Sequence, residues 1–165
     1  MEILDNFLDD YYFKSLYDIV GSSHFPWYWS HVVNTEDLLV EDQQYNFQFG
    51  HTLFKDGQSN SDKFEFFLPF LSKLPNMKTL IRMKINLNPK SHKIIRHGFH
   101  TDFEGDGKTA VFYFNTCNGY TEFEESGDII KSKENRIVIF DMMESHTGTS
   151  CTDASRRIVL NINYK

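Results

Sequence analysis

Four side chains in the second half of the sequence have the types and spacing of a redox-active metal site. His100 and Asp102 are separated by one residue, His146 lies well downstream, and Arg157 stands at the start of the last strand-like run. Two imidazoles and one carboxylate can hold Fe(II) on one face and leave the opposite face open for chemistry. An arginine offers a planar, permanently charged fork for the carboxylate of a bound co-substrate. The four residues therefore predict a ferrous site with a carboxylate-binding group beside it.

The spacing of the three candidate ligands suits strands that project side chains into one interior. In an extended chain alternate side chains point the same way, so His100 and Asp102 can face one site while Thr101 faces away. His146 follows an apolar strand predicted over 136–140, and a neighbouring strand could bring it alongside. A lone His-x-Asp pair is common in loops, and a lone histidine is usually an ordinary surface or core residue. The assignment therefore depends on the arginine and on the order of the elements.

The final strand, predicted over 156–164, has one polar and one apolar face. Alternation places on the polar face Arg157, Val159, Asn161 and Asn163. It places on the other face Ile158, Leu160 and Ile162. An apolar face suits packing against helices and a polar face suits a ligand pocket, which favours Arg157 as the inward residue. Arg156 stays open as the alternative, and either arginine could instead form a surface ion pair.

Composition limits the classes of protein that this chain can represent. It has 165 residues, a formal net charge of −6 and 16% aromatic residues, so it lacks a wholesale basic surface for wrapping nucleic acid. Cys117 and Cys151 form no CxxC pair and fit two small buried residues in a reduced cytosol. The start shows no secretory signal, and no stretch approaches the length of a membrane span. We expect a soluble cytoplasmic protein that does not associate with a membrane.

The first half of the chain reads as helical support with the first strands. We expect a strand over 1–4, a turn at Asp5-Asn6 and a helix that stops at Gly21. The aromatic segment 25–29 suits core packing, with the wall of a substrate cleft as the alternative. Residues 34–63 read as a polar loop, within which 50–63 could be a lid or a surface excursion. Apolar residues over 63–80 recur at helical spacing and predict a second amphipathic helix.

After residue 80 the pattern changes to short apolar or alternating runs separated by turn-forming residues. The predicted strands cover 80–87, 108–116, 127–131, 136–140 and 156–164. This organisation is typical of an antiparallel sandwich or barrel, here preceded by helices. No repeat or linker divides the chain, so we expect one domain over 1–165, with helical support and first strands to residue 80 and a core barrel over 80–165.

At these residues the sequence resembles a known family. The block His100-Thr101-Asp102, the strand over 110–115, and His146 followed by the run from Arg157 to Asn161 are similar to the Fe(II)/2-oxoglutarate-dependent dioxygenases. Within that family the chain resembles the prolyl-4-hydroxylase-like branch, including its small phage and bacterial members. The segments 5–8 and 25–29 also resemble those small members. The resemblance implies a mainly β fold with flanking helices: a double-stranded β-helix, which is a jelly-roll or cupin-like barrel, with iron at its mouth.

The resemblance also implies roles for particular residues. His100, Asp102 and His146 would be the metal ligands and would form the catalytic centre. Arg157 would bind the distal carboxylate of 2-oxoglutarate. Tyr113 matches a strand tyrosine that hydrogen-bonds the same carboxylate in the prolyl-hydroxylase branch, with an ordinary buried tyrosine as the alternative. Fe(II), 2-oxoglutarate and O2 would be the cofactors and co-substrates.

Two positions depart from the family pattern. Asn88 falls where the branch often has a pocket-lining tyrosine, which leaves its role open. A Gly-rich turn that many members carry is replaced by Lys133-Glu134-Asn135. Because asparagine tolerates left-handed turn geometry, the fold can accommodate this change.

The activity implied is hydroxylation of a C–H bond with release of succinate and CO2. The resemblance suggests a prolyl, peptidyl or amino-acid substrate, so the partner would be a peptide, a protein or a small molecule. Asp102 favours hydroxylation over halogenation, since related halogenases replace this ligand with a small residue. The basic residues within 82–100 leave open a nucleotide or nucleic-acid demethylase, and a non-catalytic cupin-like metal-binding module is a further alternative. The sequence does not fix the oligomeric state.

Overall fold

The fold is built largely from strands, as a computed structural model describes it for residues 1–31 and 40–165. In the first part of the chain the strands are β1 (Glu2–Asp5), β2 (Tyr28–His31), β3 (Phe47–Lys55), β4 (Gln58–Ser59) and β5 (Leu80–Pro89). The later strands are β6 (Lys108–Tyr113), β7 (Tyr120–Phe123), β8 (Ile129–Lys131), β9 (Arg136–Asp141), β10 (His146–Gly148) and β11 (Arg156–Tyr164). The α-helices are α1 (Asp10–Gly21) and α2 (Leu68–Leu71), and 3-10 turns cover Val40–Tyr45 and Phe64–Phe67.

The described strands form two antiparallel sheets. The larger has the order β1-β9-β6-β11-β5-β3-β2, with β4 added beside β3, and the smaller has the order β10-β7-β8. Strands distant in sequence are thus neighbours, and β11 lies at the centre of the large sheet between β6 and β5. The predicted fold class, mainly β with flanking helices in a jelly-roll arrangement, is confirmed.

The two faces of the large sheet bury different apolar layers. On the outer face, Ile158, Leu160 and Ile162 of β11 join the core that also contains Leu16 and Val20 of α1. The side chain of Asp9 accepts a 3.0 Å hydrogen bond from the Tyr12 backbone and caps α1, and the helix ends at Gly21 as predicted.

On the inner face, a smaller apolar cluster lies between the two sheets. Val111, Val138 and Val159 of the large sheet pack there with Phe123 and Ile130 of the small sheet. This cluster supports the cavity described below. The alternation predicted for β11 is therefore confirmed, since its even-numbered residues face the helical layer and Val159 faces the inner cluster.

The second helix predicted over 63–80 is wrong in extent. The chain forms only a 3-10 turn at Phe64–Phe67 and the single turn α2. A continuous helix would place Pro69 and Pro75 in its interior, where proline lacks an N–H donor and clashes with the preceding turn. The apolar residues still reach the core, since Phe67, Phe70, Leu71 and Leu74 are buried.

The polar loop predicted over 34–63 is also wrong where it overlaps two strands. Residues 34–39 lie outside the described residues, but 47–55 form β3 and 58–59 pair with its end as β4. Asp56 and Gly57 close this hairpin with positive φ angles of 56° and 76°. Residues 50–55 are thus sheet rather than lid. One face of strand β3 carries polar residues, and its Gln48 lines the cavity.

Two of the strands after residue 80, β7 and β10, were absent from the sequence prediction, as were β2, β3 and β4 before it. The other strands predicted after residue 80 are all present with shifted ends. The turn at Lys133-Glu134-Asn135 places Asn135 at a φ of 57°, the left-handed geometry expected of an asparagine in this position. None of the helices in the described ranges is long and apolar enough to cross a membrane.

Candidate metal centre and co-substrate cavity

Backbone pairing brings the two candidate histidines together. The His100 N–H donates to the His146 carbonyl at 3.0 Å, and the His146 N–H donates back to the His100 carbonyl at 3.0 Å. The imidazole centroids are consequently 4.7 Å apart. Asp102 lies two residues further along, and ligand atoms of all three side chains lie within 4.8 Å of one another. The structure therefore brings together the three residues that the sequence analysis selected.

Both imidazoles are oriented by hydrogen bonds to backbone carbonyls. The His146 Nδ1 is 2.9 Å from the Glu144 carbonyl, and the His100 Nδ1 is 3.3 Å from the Gly98 carbonyl. Because a carbonyl only accepts, each Nδ1 must carry the proton, which leaves the Nε2 lone pair available to a metal. Burial lowers the pKa of His146 and so favours the neutral ring that a metal requires.

The Asp102 carboxylate is held by donors from three strands. Arg82 of β5 donates to Oδ1 at 2.7 Å, while Thr109 of β6 and Asn163 of β11 donate to Oδ2 at 2.8 and 2.9 Å. Burial by itself would raise the pKa of Asp102, but the Arg82 charge, the neighbouring His146 and these hydrogen bonds outweigh it and lower the pKa. The carboxylate is therefore ionised and fixed in orientation.

This donor set fits a divalent iron ion. Two neutral imidazole nitrogens and one carboxylate oxygen form the facial ligand set typical of non-haem Fe(II) sites. Ligand atoms bound at about 2.1 Å to one ion and at about 90° to one another lie about 3 Å apart. The atoms of the present set lie within 4.8 Å of one another, so the side chains must move closer together to bind one ion. His146 is buried and His100 is exposed, which places the centre at the mouth of the fold.

The three candidate ligands and Arg157 line one cavity of about 300 Å³. The Arg157 side chain is only 2% exposed and donates to Ser132 Oγ at 2.7 Å, to Thr121 Oγ1 at 3.2 Å and to the Thr149 carbonyl at 3.4 Å. All three acceptors are neutral, and among residues 1–31 and 40–165 no carboxylate pairs with this guanidinium. A buried cation without a counter-ion is unfavourable, so Arg157 is suited to bind an anion that enters the cavity.

The neighbouring arginine points elsewhere. A Cβ atom added to Gly21, at the end of α1, would lie 3.5 Å from Nη2 of Arg156. Arg156 thus extends toward the helical layer, whereas Arg157 extends into the cavity. Of the two arginines that the sequence left open, Arg157 is thus the one that lines the cavity.

Tyr113 lies behind the cavity. Its ring is fully buried, its hydroxyl donates to Thr121 Oγ1 at 2.9 Å, and the Arg157 guanidinium carbon is 5.5 Å from the ring centroid. Thr121 lines the cavity and stands between Tyr113 and the space within. In this arrangement Tyr113 orients Thr121 and supports Arg157.

Sequence reasoning missed a buried network beside Arg157. Asn88, which pairs in register with Arg157, donates to His97 Nε2 at 3.1 Å, and His97 Nδ1 lies 2.9 Å from Asn46 Oδ1. Burial, with smaller contributions from Arg157 and His100, lowers the pKa of His97 to about 4. His97 is thus neutral and adds no charge near Arg157. The sequence offered little indication of this network because Asn46 and His97 belong to segments without strand periodicity.

The other residues that the sequence analysis singled out lie in the core or at the edge of the large sheet. Cys117 and Cys151 are both buried free thiols, as expected of small core residues. In the aromatic segment 25–29, Phe25 is buried and packs against Trp27 at a centroid distance of 4.9 Å, which agrees with core packing. The exposed aromatic residues of this segment, Tyr28 and Trp29, are on strand β2 at the edge of the large sheet.

Comparison with solved structures identifies the fold. A 2OG-Fe(II) oxygenase family oxidoreductase from Burkholderia pseudomallei superposes with a TM-score of 0.72 at 12% identity, covering 98% of this chain and 84% of that chain. A prolyl-4-hydroxylase from Pseudomonas putida gives 0.62 at 13% identity, covering 99% and 91%. A prolyl hydroxylase from Trichoplax adhaerens, in complex with a hypoxia inducible factor oxygen degradation domain peptide fragment, gives 0.62 at 14% identity, covering 99% and 82%.

At these identities the likeness establishes the fold, which is that of the 2OG-Fe(II) oxygenases and prolyl hydroxylases. The fold implied by the sequence resemblance is thereby confirmed. No protein-family model and no curated protein sequence matches this chain. The site must therefore be interpreted from its own chemistry.

Proposed function

We propose that this protein is an Fe(II)- and 2-oxoglutarate-dependent oxygenase that hydroxylates a C–H bond with release of succinate and CO2. The observation that carries the proposal is the presence, in one cavity, of a His-Asp-His ligand set and a buried arginine that pairs with no carboxylate in the described part of the chain. A structural metal site needs the three ligands but gives no reason for a carboxylate-binding cation beside them. This argues against the alternative of a non-catalytic cupin-like module.

In this proposal each side chain has a defined task. His100, Asp102 and His146 hold the iron, which when bound supplies activation of O2 and oxidative decarboxylation of the keto acid. Arg157 binds the distal carboxylate of 2-oxoglutarate through its guanidinium, with Thr121 and Tyr113 behind it. The residues around Asp102 and the backbone carbonyls behind the histidines fix the ligands before any substrate enters.

The substrate that we favour is a prolyl, peptidyl or amino-acid compound. Two of the similar structures are described as prolyl hydroxylases, and one of these is bound to a peptide fragment. The retained carboxylate ligand Asp102 favours hydroxylation over halogenation. Peptides and free amino acids are therefore the first compounds to screen.

We rank the nucleic-acid alternative second because three of the basic residues of segment 82–100 already have partners. Arg82 is committed to Asp102 at 2.7 Å, and Lys93 pairs with Asp42 at 3.0 Å. The guanidinium of Arg96 lies 4.7 Å from the ring centroid of Phe99. These three cations are therefore not free to form a basic face for a phosphate backbone.

The test is an anaerobic titration of the purified protein with Fe(II) and 2-oxoglutarate, followed by exposure to air. We expect a weak visible charge-transfer band on addition of 2-oxoglutarate and formation of succinate once O2 is admitted. Asp102→Ala should abolish both signals, whereas Asp128→Ala, at an exposed acid between β7 and β8, should leave them unchanged. Undiminished succinate from Asp102→Ala, or no band and no succinate from the metal-loaded wild type, would refute the proposal.

A further inference from the structure

Besides Arg82 and Arg157, the cavity contains a cation that the proposed chemistry does not use, which is Lys84. Strand β5 presents one row of side chains to the cavity, namely Arg82, Lys84, Asn86 and Asn88. Arg82 is neutralised by Asp102 and Asn88 is bonded to His97, but Lys84 faces no carboxylate within the described ranges. Burial, with a smaller effect of Arg82, lowers the pKa of Lys84, which is what an ammonium without a counter-ion should show.

Gly50 makes room for the end of the Lys84 side chain. Gly50 is on β3, directly opposite Asn86 on β5. A Cβ atom at Gly50 would lie 2.6 Å from Lys84 Cε, 3.2 Å from Lys84 Nζ and 3.5 Å from Asn86 Oδ1. The ammonium of Lys84 and the amide oxygen of Asn86 therefore both lie over the bare backbone of Gly50.

Asn86 supplies an independent sign of a missing ligand. Its Oδ1 atom is buried and has no hydrogen-bond partner among residues 1–31 and 40–165. Buried polar atoms are nearly always hydrogen-bonded, and one without a partner costs about 1–3 kcal/mol. Asn86 Oδ1, which can accept from an N–H or O–H donor, thus lies beside the Lys84 ammonium, which can pair with an anion, on one wall of the cavity.

We propose, on the basis of the oxygenase function above, that Lys84 and Asn86 form the subsite for the compound that is oxidised, and that this compound is a small amino acid with a free carboxylate. Lys84 pairs with the carboxylate, and Asn86 Oδ1 accepts from the adjacent amino group. Arg157 remains for 2-oxoglutarate. The cavity volume of about 300 Å³ is at the lower end of the range for ligand pockets and suits a small acid rather than a folded or polymeric substrate.

The test measures binding to the protein loaded anaerobically with Fe(II) and 2-oxoglutarate. Isothermal titration compares the proteinogenic L-amino acids with their carboxamides, in which a neutral amide of similar size replaces the charged carboxylate. We expect at least one amino acid to bind, about tenfold or more tightly than its amide. Lys84→Met should remove this preference, Lys84→Arg should retain most of it, and Lys90→Met, at an exposed lysine near the end of β5, should not change it.

Gly50→Ala provides a second variant that keeps both binding side chains in the sequence. The three atoms nearest the added methyl group belong to the flexible end of Lys84 and to the Asn86 amide, so the protein should fold while the ammonium is displaced. We expect the preference for the acid over the amide to fall about tenfold, with 2-oxoglutarate affinity unchanged.

The outcomes separate this inference from the proposed function. If 2-oxoglutarate binds but no amino acid is preferred over its amide, the subsite assignment is wrong and the oxygenase proposal stands. Tighter binding of inorganic phosphate or AMP than of any amino acid, lost in Lys84→Met, would also overturn the carboxylate assignment. If 2-oxoglutarate itself does not bind the iron-loaded protein, the function fails first and the inference fails with it.

Discussion

Arg82 and Asp102 form a 2.7 Å ion pair that connects strand β5 to the candidate metal ligand. The same guanidinium donates from Nε to Asn163 Oδ1 at 3.0 Å, and Asn163 donates to the other oxygen of Asp102 at 2.9 Å. The three side chains thus form a closed ring around the carboxylate. Such a ring restricts rotation of the ligand before metal binds, which lowers the entropic cost of binding.

Replacing Arg82 by Lys should therefore weaken metal binding without removing a ligand. A lysine keeps the positive charge but lacks the planar fork by which Arg82 donates to Asn163 from Nε and to Asp102 from Nη2. Loss of such an outer partner typically reduces metal affinity by about 10- to 100-fold. Titration of the anaerobic protein with Fe(II) measures the dissociation constant, and Arg96→Lys, at an arginine outside this ring, is the control. Equal affinities of the two variants would show that Arg82 has no positioning role.

Arg157 should be required for co-substrate binding but not for folding. In Arg157→Met the buried charge is removed while the side-chain volume is roughly kept, so the apo protein should be at least as stable as the wild type. Affinity for 2-oxoglutarate should fall by about 100-fold or more, since a charge-paired carboxylate in a buried site typically contributes 2–5 kcal/mol.

Two measurements check this prediction. Thermal unfolding without ligands reports the stability, and titration of the iron-loaded protein with 2-oxoglutarate reports the affinity. Arg156→Met is the matched control because it changes the adjacent arginine, which extends toward α1. A larger loss of 2-oxoglutarate affinity in Arg156→Met than in Arg157→Met would reverse the assignment of the two residues.

The sequence was most informative where one strand had two different faces. In β11 the alternation of Ile158, Leu160 and Ile162 with Arg157 and its polar neighbours determined both the core and the cavity wall, because a slip of one residue would have buried the polar row. The candidate metal ligands were selected because two of them are separated by a single residue in an extended segment.

The sequence was least informative where tertiary contacts decide local structure. Strand β3 was read as part of a polar loop although Phe47, Phe49 and Leu53 alternate along it. The polar residues around it outweighed this short pattern, and Gln48 on its other face lines the cavity. The predicted helix over 63–80 failed because apolar spacing was weighted above the two prolines. Lys84 was recognised as part of a basic segment, but its burial beside Asn86 depends on Gly50, which pairs with that strand from a distant part of the chain.

Buried His97 should make the protein less stable at acidic pH. Its imidazole takes up a proton near pH 4 in the folded state, against about 6.5 in an unfolded chain. Between these values the unfolded state binds more protons, so the free energy of unfolding falls as the pH is lowered from 6.5 to 4, by an amount on the order of 3 kcal/mol. Above pH 6.5 both states are neutral and this contribution to stability is complete.

His97→Gln provides the comparison. A glutamine amide can donate to Asn46 and accept from Asn88, but it does not titrate. Urea unfolding at pH 7 and at pH 4.5 should show a smaller decrease in the variant than in the wild type, whatever the absolute stability of the variant. Equal decreases in the two proteins would mean that His97 titrates normally in the folded state.

Phe112 should be among the most sensitive positions for stability. It is fully buried on β6, and its ring centroid lies 5.1 Å from Phe70 and 5.2 Å from Phe114 in edge-to-face arrangements. It also contacts Phe7 and Phe13 at 6.3 and 6.1 Å, so it connects the sheet to both helical segments. Phe112→Ala should lower the free energy of unfolding by about 3–5 kcal/mol, since it leaves a cavity that rigid neighbours cannot fill.

The control is an exposed phenylalanine from another part of the chain. Phe66, in the 3-10 turn before α2, is 49% exposed, so Phe66→Ala should change the free energy of unfolding by less than about 1 kcal/mol. Urea unfolding of the two variants at pH 7 measures the difference directly. Because Phe112 faces the helical layer and not the cavity, Phe112→Leu should keep 2-oxoglutarate affinity even where stability decreases. A loss of affinity in the folded leucine variant would show that the outer core also shapes the cavity.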